Sequence, residues 1–206
     1  MTVHDDATTH LSEPLGDAVT GTLAFPGGTS DLVLRGEWLA GELYQGRFTG
    51  HIPDVETRDG TVTVRYPRRP FNRRRSAELV LNAAVSWAVD VEGGAAGVRA
   101  DLSRTPVRAL TFSGGATDVG LTLGEPSGTV RVIVAGGVTR LAVRRPAGAA
   151  VLLRIAKGAT DVRLDDQAIG AAGGTLQLAT PGVGEAENRY EIDVRGGATS
   201  LVIEAG

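Results

Sequence analysis

The feature that most constrains this chain is a short pattern that occurs five times between residues 89 and 203. Each copy alternates apolar residues on both sides of a Gly-Gly or Lys-Gly pair, which is followed by one small residue and then by Thr or Ala. The copies span residues 89–98, 110–121, 132–143, 153–164 and 192–203. Alternation with a period of two is typical of half-buried β-strands, and recurrence at a fixed spacing is typical of folds whose units pack only on their neighbours.

The last glycine of each pair sets the period of the repeat. Successive glycines are 21, 22, 21 and 39 residues apart, at Gly94, Gly115, Gly137, Gly158 and Gly197. Glycine permits sharp turns, including those with positive φ, so we predict that all five are structural turns between strands. The gap of 39 residues predicts a protruding hairpin or long loop over residues 165–188, where glycine and proline are frequent.

These observations predict an all-β fold. A second corner near Pro126 and Pro146 and strands of five or six residues would complete each unit. We therefore expect a right-handed parallel β-helix (a β-solenoid) of about seven or eight rungs of roughly 21 residues. Residues 1–20 are predicted to form a flexible N-terminal arm, and residues 21–206 a single solenoid domain. Within it, an irregular block (21–76) precedes the regular repeats (77–206).

Composition narrows the functional classes. The 206 residues carry a net charge of −3 and no cysteine, so no disulfide or thiolate site exists. No Cys/His metal spacing and no nucleotide-binding glycine motif occurs, so neither a metal nor a cofactor is predicted. There is no signal-like or membrane-spanning apolar run, which makes the cytoplasm the expected location.

The repeats resemble a known bacterial family. Together with Leu43-Tyr44, Phe48, Ile52-Pro53 and the strand 60–64, the Gly-Gly-Ala-Thr units look like the toast-rack or putative-adhesin β-solenoid domains. The resemblance covers roughly residues 21–204. It implies a right-handed solenoid without catalysis, and such domains are usually attached to envelope or cell-surface proteins.

An arginine-rich segment is the first candidate site. It places two aromatic residues among six arginines within eleven positions: Arg65, Tyr66, Arg68, Arg69, Phe71, Arg73, Arg74 and Arg75. Guanidinium groups bind phosphates and aromatic rings stack on bases, so the segment could bind a nucleic acid, anionic lipid or protein. The acidic net charge argues against a dedicated nucleic-acid protein, and a solvated loop paired with acidic residues elsewhere is the simpler explanation of the cluster.

Two further features leave alternatives open. Carboxylates recur at one repeat position, at Asp118 and Asp161, and a pair of acids could cleave a glycosidic bond. Arg140 and Ser200 occupy the same position, which instead indicates a solvent-facing column. Trp38 and Trp87 could be interface anchors or core residues.

The end of the chain supplies the second candidate site. The last predicted strand includes Leu201, Val202 and Ile203, and no capping helix follows it. An open solenoid end exposes backbone groups and core, so this rung is predicted to stack on another chain.

The leading hypothesis is a non-catalytic scaffold that self-associates or docks with a protein partner. The alternative is a polyanion-binding module that uses Arg65–Arg75, and a carbohydrate-active enzyme is the third reading.

Overall fold

The chain forms two β-sheets and no helix in the part that the structure, a computed structural model, describes: residues 8–67 and 75–206. The strands are β1 (Thr8–Pro14), β2 (Thr20–Phe25), β3 (Thr29–Glu37), β4 (Glu42–Gly50), β5 (Asp54–Arg58), β6 (Thr61–Arg65), β7 (Arg75–Asn82), β8 (Ser86–Val91), β9 (Ala95–Leu102), β10 (Val107–Phe112), β11 (Ala116–Leu123), β12 (Thr129–Val134), β13 (Val138–Arg145), β14 (Ala150–Ile155), β15 (Ala159–Leu164), β16 (Gln167–Ala172), β17 (Leu176–Ala179), β18 (Arg189–Val194) and β19 (Ala198–Ala205). The prediction of an all-β fold is confirmed.

Seven strand pairs build most of both sheets. In each pair, one strand of the nine-stranded sheet is followed by one strand of the ten-stranded sheet. Neighbouring pairs are parallel in both sheets, and their spatial order is β6–β7, β2–β3, β8–β9, β10–β11, β12–β13, β18–β19 and β14–β15. Side chains that alternate inward from the two sheets form one apolar core. Most of its members are Val, Leu, Ile and Ala, as the low aromatic content requires.

The repeat corners stack directly on one another. The amide of Ala95 donates to Gly115 O at 2.9 Å, and the same bond recurs from Ala116 to Gly137 O at 2.9 Å and from Val138 to Gly197 O at 2.9 Å. The first glycine of a pair is required by this close approach. A Cβ at position 196 would lie 2.5 Å from the carbonyl oxygen of residue 136.

The left-handed turn lies elsewhere than expected. Of the five glycines predicted as turns, Gly158 has positive φ, at 75°. The regular left-handed position is instead three residues further along, with φ of 51–63° at Asp31, Gly97, Asp118, Arg140, Asp161 and Ser200. Aspartate tolerates this conformation better than most residues, which explains why the column repeats Asp.

The last strand pair does not lie at an open end, so the premise of the predicted terminal-rung interface is wrong. Strand β19 is hydrogen-bonded to β13 on one side and to β15 on the other. Leu201 and Ile203 are fully buried in the core, and Val202 is half-buried on the outer face. The chain reaches β14–β15 first and then returns to insert β18–β19 beside it.

Antiparallel strands cover both ends of the stack. The predicted loop at 165–188 contains β16 and β17, which pair antiparallel with β15 and β14 and form the edges of the two sheets there. At the opposite end, β1, β4 and β5 are also antiparallel to their neighbours. Residues 8–14 are therefore a strand rather than part of a flexible arm.

The block predicted to be irregular contains a further copy of the repeat. Residues 23–34 read Leu-Ala-Phe-Pro-Gly-Gly-Thr-Ser-Asp-Leu-Val-Leu, and their strands align in register with the first recognised copy. Gly28 takes the position of Gly94, and the amide of Thr29 donates to Gly94 O at 3.0 Å. The Pro and Ser substitutions within this copy hid it from the pattern.

Candidate interaction surface

The outer face of the ten-stranded sheet carries two straight rows of side chains. Because neighbouring strands are in register, outward residues of successive strands stand side by side. The central part of one row is Val33, Arg99, Gly120, Ala142 and Val202, and the central part of the other is Arg35, Asp101, Thr122, Arg144 and Glu204. Small residues in the middle of the first row leave a depression there.

This depression is a groove of about 710 Å³. Gly120 and Ala142 form its floor, and longer side chains such as Arg99 and Arg144 stand along its rim. A second groove of about 300 Å³ shares Val33 with the first and continues toward β1. The two grooves make the outer face one continuous concave strip.

The fold does not require the glycine in the floor. A Cβ at position 120 would meet no heavy atom within 4 Å, and φ of Gly120 is not positive. Glycine within a strand costs about 0.5–1 kcal/mol relative to alanine, and it often marks a place where another backbone or a ligand approaches closely. Core packing therefore does not require Gly120, and its absence of a side chain affects only the outer surface, where it leaves open space above β11.

Ion pairs hold several charges along the rim. The guanidinium of Arg140 donates to Asp118, with 2.6 Å between Nη2 and Oδ2, and this hydrogen bond holds the pKa of Asp118 below its usual value. Arg144 Nε donates to Glu204 Oε1 at 3.0 Å. Within the described ranges, Arg99 forms no ion pair, and its positive charge adds to that of Arg140 in lowering the pKa of Asp118.

The carboxylates predicted as a possible acid pair lie in β11 and β15, which are separated in the sheet by β13 and β19. Asp118 is engaged by Arg140, whereas Asp161 is exposed near the other end of the same column. No group of three or more His, Cys, Asp or Glu side chains in residues 8–67 and 75–206 could hold a metal ion. The same part of the chain has no helix long and apolar enough to cross a membrane.

The described residues of the arginine-rich segment are Arg65, Tyr66 and Arg75, which adjoin the end of β6 and the start of β7. Arg65 ends β6 and is exposed, and the Tyr66 ring packs edge-on against the His51 ring with 6.1 Å between centroids. Arg75 begins β7. Arg68, Arg69, Phe71, Arg73 and Arg74 lie outside the described residues.

The two tryptophans have opposite environments. Trp87 is fully buried, and its indole Nε1 donates to Asn82 O at 3.0 Å. Trp38 follows β3 and is 76% exposed. Sequence reasoning left both roles open for each residue; the structure places Trp87 in the core, and an interface role for Trp38 stays a prediction.

The groove itself was missed by sequence reasoning. The sequence indicates the groove only through small residues at two neighbouring outward positions, Gly120 and Ala142. The neighbouring strand β9 has the long side chain of Arg99 at the equivalent position. This signal is visible only once the copies are aligned by register, since each residue alone is ordinary in a strand.

Comparisons with known proteins place the fold. No protein-family model matches the chain, and no curated protein sequence matches it. The fold is similar to the crystal structure of a putative cell adhesion protein from Clostridium sporogenes ATCC 15579. The TM-score is 0.73 and the identity 20%, over 98% of this chain and 100% of that chain. At this identity the similarity concerns the fold alone.

A second solved structure is more distant. A putative adhesin from Bacteroides fragilis NCTC 9343 aligns over 98% of both chains, with a TM-score of 0.38 and 9% identity. A TM-score this low supports no argument.

Proposed function

We propose that this protein is a non-catalytic protein-interaction module built on a right-handed β-solenoid of the toast-rack type. In this interpretation the seven parallel strand pairs are its rungs and the antiparallel edge strands are its caps. The fold shared with a protein described as a cell adhesion protein supports the proposal.

The observation that carries the proposal is the open groove above Gly120. Its volume of about 710 Å³ would accommodate an extended segment of a partner protein lying across the strands. The floor of Gly120 and Ala142 permits close backbone approach, and Arg99 would pair with an acidic side chain of that segment. Affinity would come from the covered apolar floor, and specificity from the charges of the rim.

Site-specific photo-crosslinking tests the groove. A photoreactive amino acid replaces Ala142 in the floor, and a matched control replaces Ala109 on the outer face of the nine-stranded sheet. In cells that naturally express the protein, we expect crosslinks to a protein partner from position 142. Adding Gly120→Leu, which places a large side chain in the groove at a position where a Cβ meets no heavy atom within 4 Å, should abolish them. Equal crosslinking at both positions, or crosslinks that survive Gly120→Leu, would refute the proposal.

Polyanion binding through Arg65–Arg75 is the alternative, favoured by the exposed Arg65 at the start of that segment. Titration with a fluorescent oligonucleotide and with heparin separates the two functions. When a protein makes six to ten phosphate contacts, raising the salt concentration from about 50 to about 200 mM weakens binding roughly 10³–10⁵-fold. A tight, salt-sensitive complex that Gly120→Leu leaves unchanged would favour the alternative.

A further inference from the structure

One end of the stack presents two free sheet edges at once. There β16 is the outermost strand of the ten-stranded sheet, and β17 is the outermost strand of the nine-stranded sheet. Each covers the last parallel strand pair by antiparallel pairing, with β15 and β14, but among the described residues no strand pairs with its outer side. Both edges therefore expose backbone donors and acceptors, to which another strand can bind.

Neither of these edge strands contains a charged residue or a proline. Strand β16 reads Gln-Ala-Ile-Gly-Ala-Ala, and β17 reads Leu-Gln-Leu-Ala. The opposite end differs in both sheets, because its edge strand β5 has exposed Asp54, Glu56 and Arg58, and its edge strand β1 contains Glu13 and Pro14. Charges and proline on edge strands prevent association in natural sheet proteins. The end formed by β16 and β17 is therefore the unprotected one.

The apolar core is only partly covered at this end. Ile169 of β16 and Leu176 of β17 pack against the core but are half-buried. Their cross-strand neighbours, Val162 and Ile155, are fully buried between the sheets. A partner that completes this end must pair with both sheets and cover the apolar side chains between them.

A second copy of this chain meets these requirements. The two edges are linked, since Gln167 Nε2 donates to Ala179 O at 2.9 Å. A second copy, turned by a two-fold axis normal to the sheets, brings the same two edges at the same spacing, and each pairs antiparallel with its counterpart. A single extended segment can pair with only one of them. We propose that this end is the interface of a symmetric end-to-end dimer, formed mainly by β16 because β17 has only four residues.

The charges near this end do not oppose the arrangement. They lie in neighbouring strands and connections: Arg154, Lys157, Asp161, Arg163, Asp165, Asp166, Glu185 and Glu187.

Antiparallel pairing keeps the nearest acidic residues apart. Asp166, directly before β16, meets the far end of β16 in the other copy, so the two Asp166 are about 20 Å apart, the length of six residues. Asp161 of β15 is at least three strand spacings, about 14 Å, from its counterpart. Both separations exceed the Debye length of about 8 Å at physiological salt. Parallel pairing would instead bring the two Asp166 together.

This dimer goes beyond the proposed function and uses a different surface. It leaves the groove above Gly120 free in both copies. It also differs from the predicted interface at Leu201–Ile203, since β19 is already paired on both sides. Because the opposite ends are protected, association stops at two copies.

Analytical ultracentrifugation of the full chain tests the dimer. We expect a species of twice the chain mass of 21.3 kDa and none larger. Ala168→Glu with Ala171→Glu places like charges across the antiparallel strands and should raise the dimer Kd by at least about tenfold. Ala168→Glu with Ala171→Lys places opposite charges there and should leave Kd unchanged or lower it. Both alanines are exposed, so thermal unfolding should show that each variant keeps the fold.

Two control variants test the location. Thr8→Glu with Ser12→Glu makes the same change in net charge at exposed positions of β1, at the opposite end, and should leave Kd unchanged. Gly120→Leu alters only the groove and should also leave Kd unchanged, which separates this result from that of the proposed function.

A single cysteine tests the geometry, because the chain has none of its own. Gly170 lies near the proposed two-fold axis, and a Cβ there meets no heavy atom within 4 Å. Gly170→Cys should form a disulfide-linked dimer on mild oxidation, since residues at a two-fold axis meet their own counterparts. Gly120→Cys, with equal open space, should stay monomeric.

Three results would overturn the proposal. One is a wild-type monomer at about 1 mM, a concentration that populates even weak complexes. The others are equal Kd values for the two charge variants of β16, and equal disulfide formation at positions 170 and 120.

Discussion

Truncation of Leu201 tests the inserted position of the last strand pair. Leu201 is fully buried, and its strand is hydrogen-bonded on both sides, so nothing near it can fray independently. Leu→Ala at such sites costs about 2–5 kcal/mol, because transfer free energy is lost and a cavity remains. Val202, the next residue, points outward and is half-buried, so Val202→Ala should cost about 0.5–1 kcal/mol.

The expected values translate into melting temperatures. In a chain of this length each kcal/mol corresponds to about 2–4 °C, so Leu201→Ala should lower Tm by about 6–12 °C if it costs about 3 kcal/mol. Val202→Ala should lower it by about 4 °C or less. Calorimetry and urea titration of both variants measure the difference.

An inserted last strand pair and a terminal one should unfold differently. A terminal rung can unfold locally, which limits how much a substitution within it reduces global stability. An inserted strand pair cannot leave without separating β12–β13 from β14–β15. Equal effects of the two substitutions, or loss of β19 protection from hydrogen exchange at temperatures where the rest stays folded, would refute the insertion.

Five further substitutions have defined outcomes. Gly196→Ala should cost about 1–3 kcal/mol because its Cβ meets the backbone of the neighbouring corner, whereas Gly120→Ala should be neutral or stabilising by up to about 1 kcal/mol. Denaturant titration compares the free energies of unfolding of the two variants. Equal effects would contradict the argument that the repeat corners stack in close contact. Asp165→Ala removes the acidic partner of the buried Arg145 guanidinium and should cost about 1–3 kcal/mol, since Asp165 itself is 33% exposed, whereas exposed Asp166→Ala should cost less than about 0.5 kcal/mol; similar values would show that Arg145 does not depend on Asp165 in solution. Tyr190→Phe loses the hydroxyl bond to Gly124 O at 2.8 Å and should cost about 1 kcal/mol. Burial raises the pKa of Tyr190, so its phenol should not ionise in the folded protein, and ultraviolet titration would show early ionisation if this were wrong.

The local structure could be predicted from the sequence because it depends on neighbours along the chain. Period-two alternation specifies which side chains face inward, and the glycine pairs specify where copies approach closely. Thr117, Thr139, Thr199 and Thr160 do stand side by side, as expected for one column. The left-handed position three residues after the glycine pair was not predicted, because a column of Asp, Arg and Ser has no single glycine-like signal.

The order of the strand pairs could not be predicted from the repeat. Every copy presents the same corner and the same column, so any copy could stack on any other with similar backbone hydrogen bonds. The spacing of 39 residues between Gly158 and Gly197 indicated only that something extra lay between them. The chain uses those residues to cover the end of the stack and return.

The charges on the outer faces of the sheets indicate what specifies the order of the strand pairs. Acidic residues of β18 and β19 face arginines of the pairs on both sides: Glu191 lies 3.8 Å from Arg131, Asp193 3.6 Å from Arg154, and Glu204 3.0 Å from Arg144. In chain order, β12–β13 would meet β14–β15 directly and these arginines would lose their acidic partners. Alternation of charge between neighbouring pairs thus favours insertion.

Single exposed pairs contribute little, typically 0–1 kcal/mol, so this preference should emerge only when several are changed together. Reversal of all three acids to arginine would place like charges on both sides of the last strand pair. We expect the triple variant to lose about 2–4 kcal/mol, more in low salt than in high salt, because opposing like charges destabilise by amounts similar to the pairs they replace. A control that converts the exposed Glu92, Glu125 and Glu187 to arginine makes the same change in net charge away from these contacts. If control and triple variant unfold alike, the charges do not specify the order, and the lengths of the connections alone must do so.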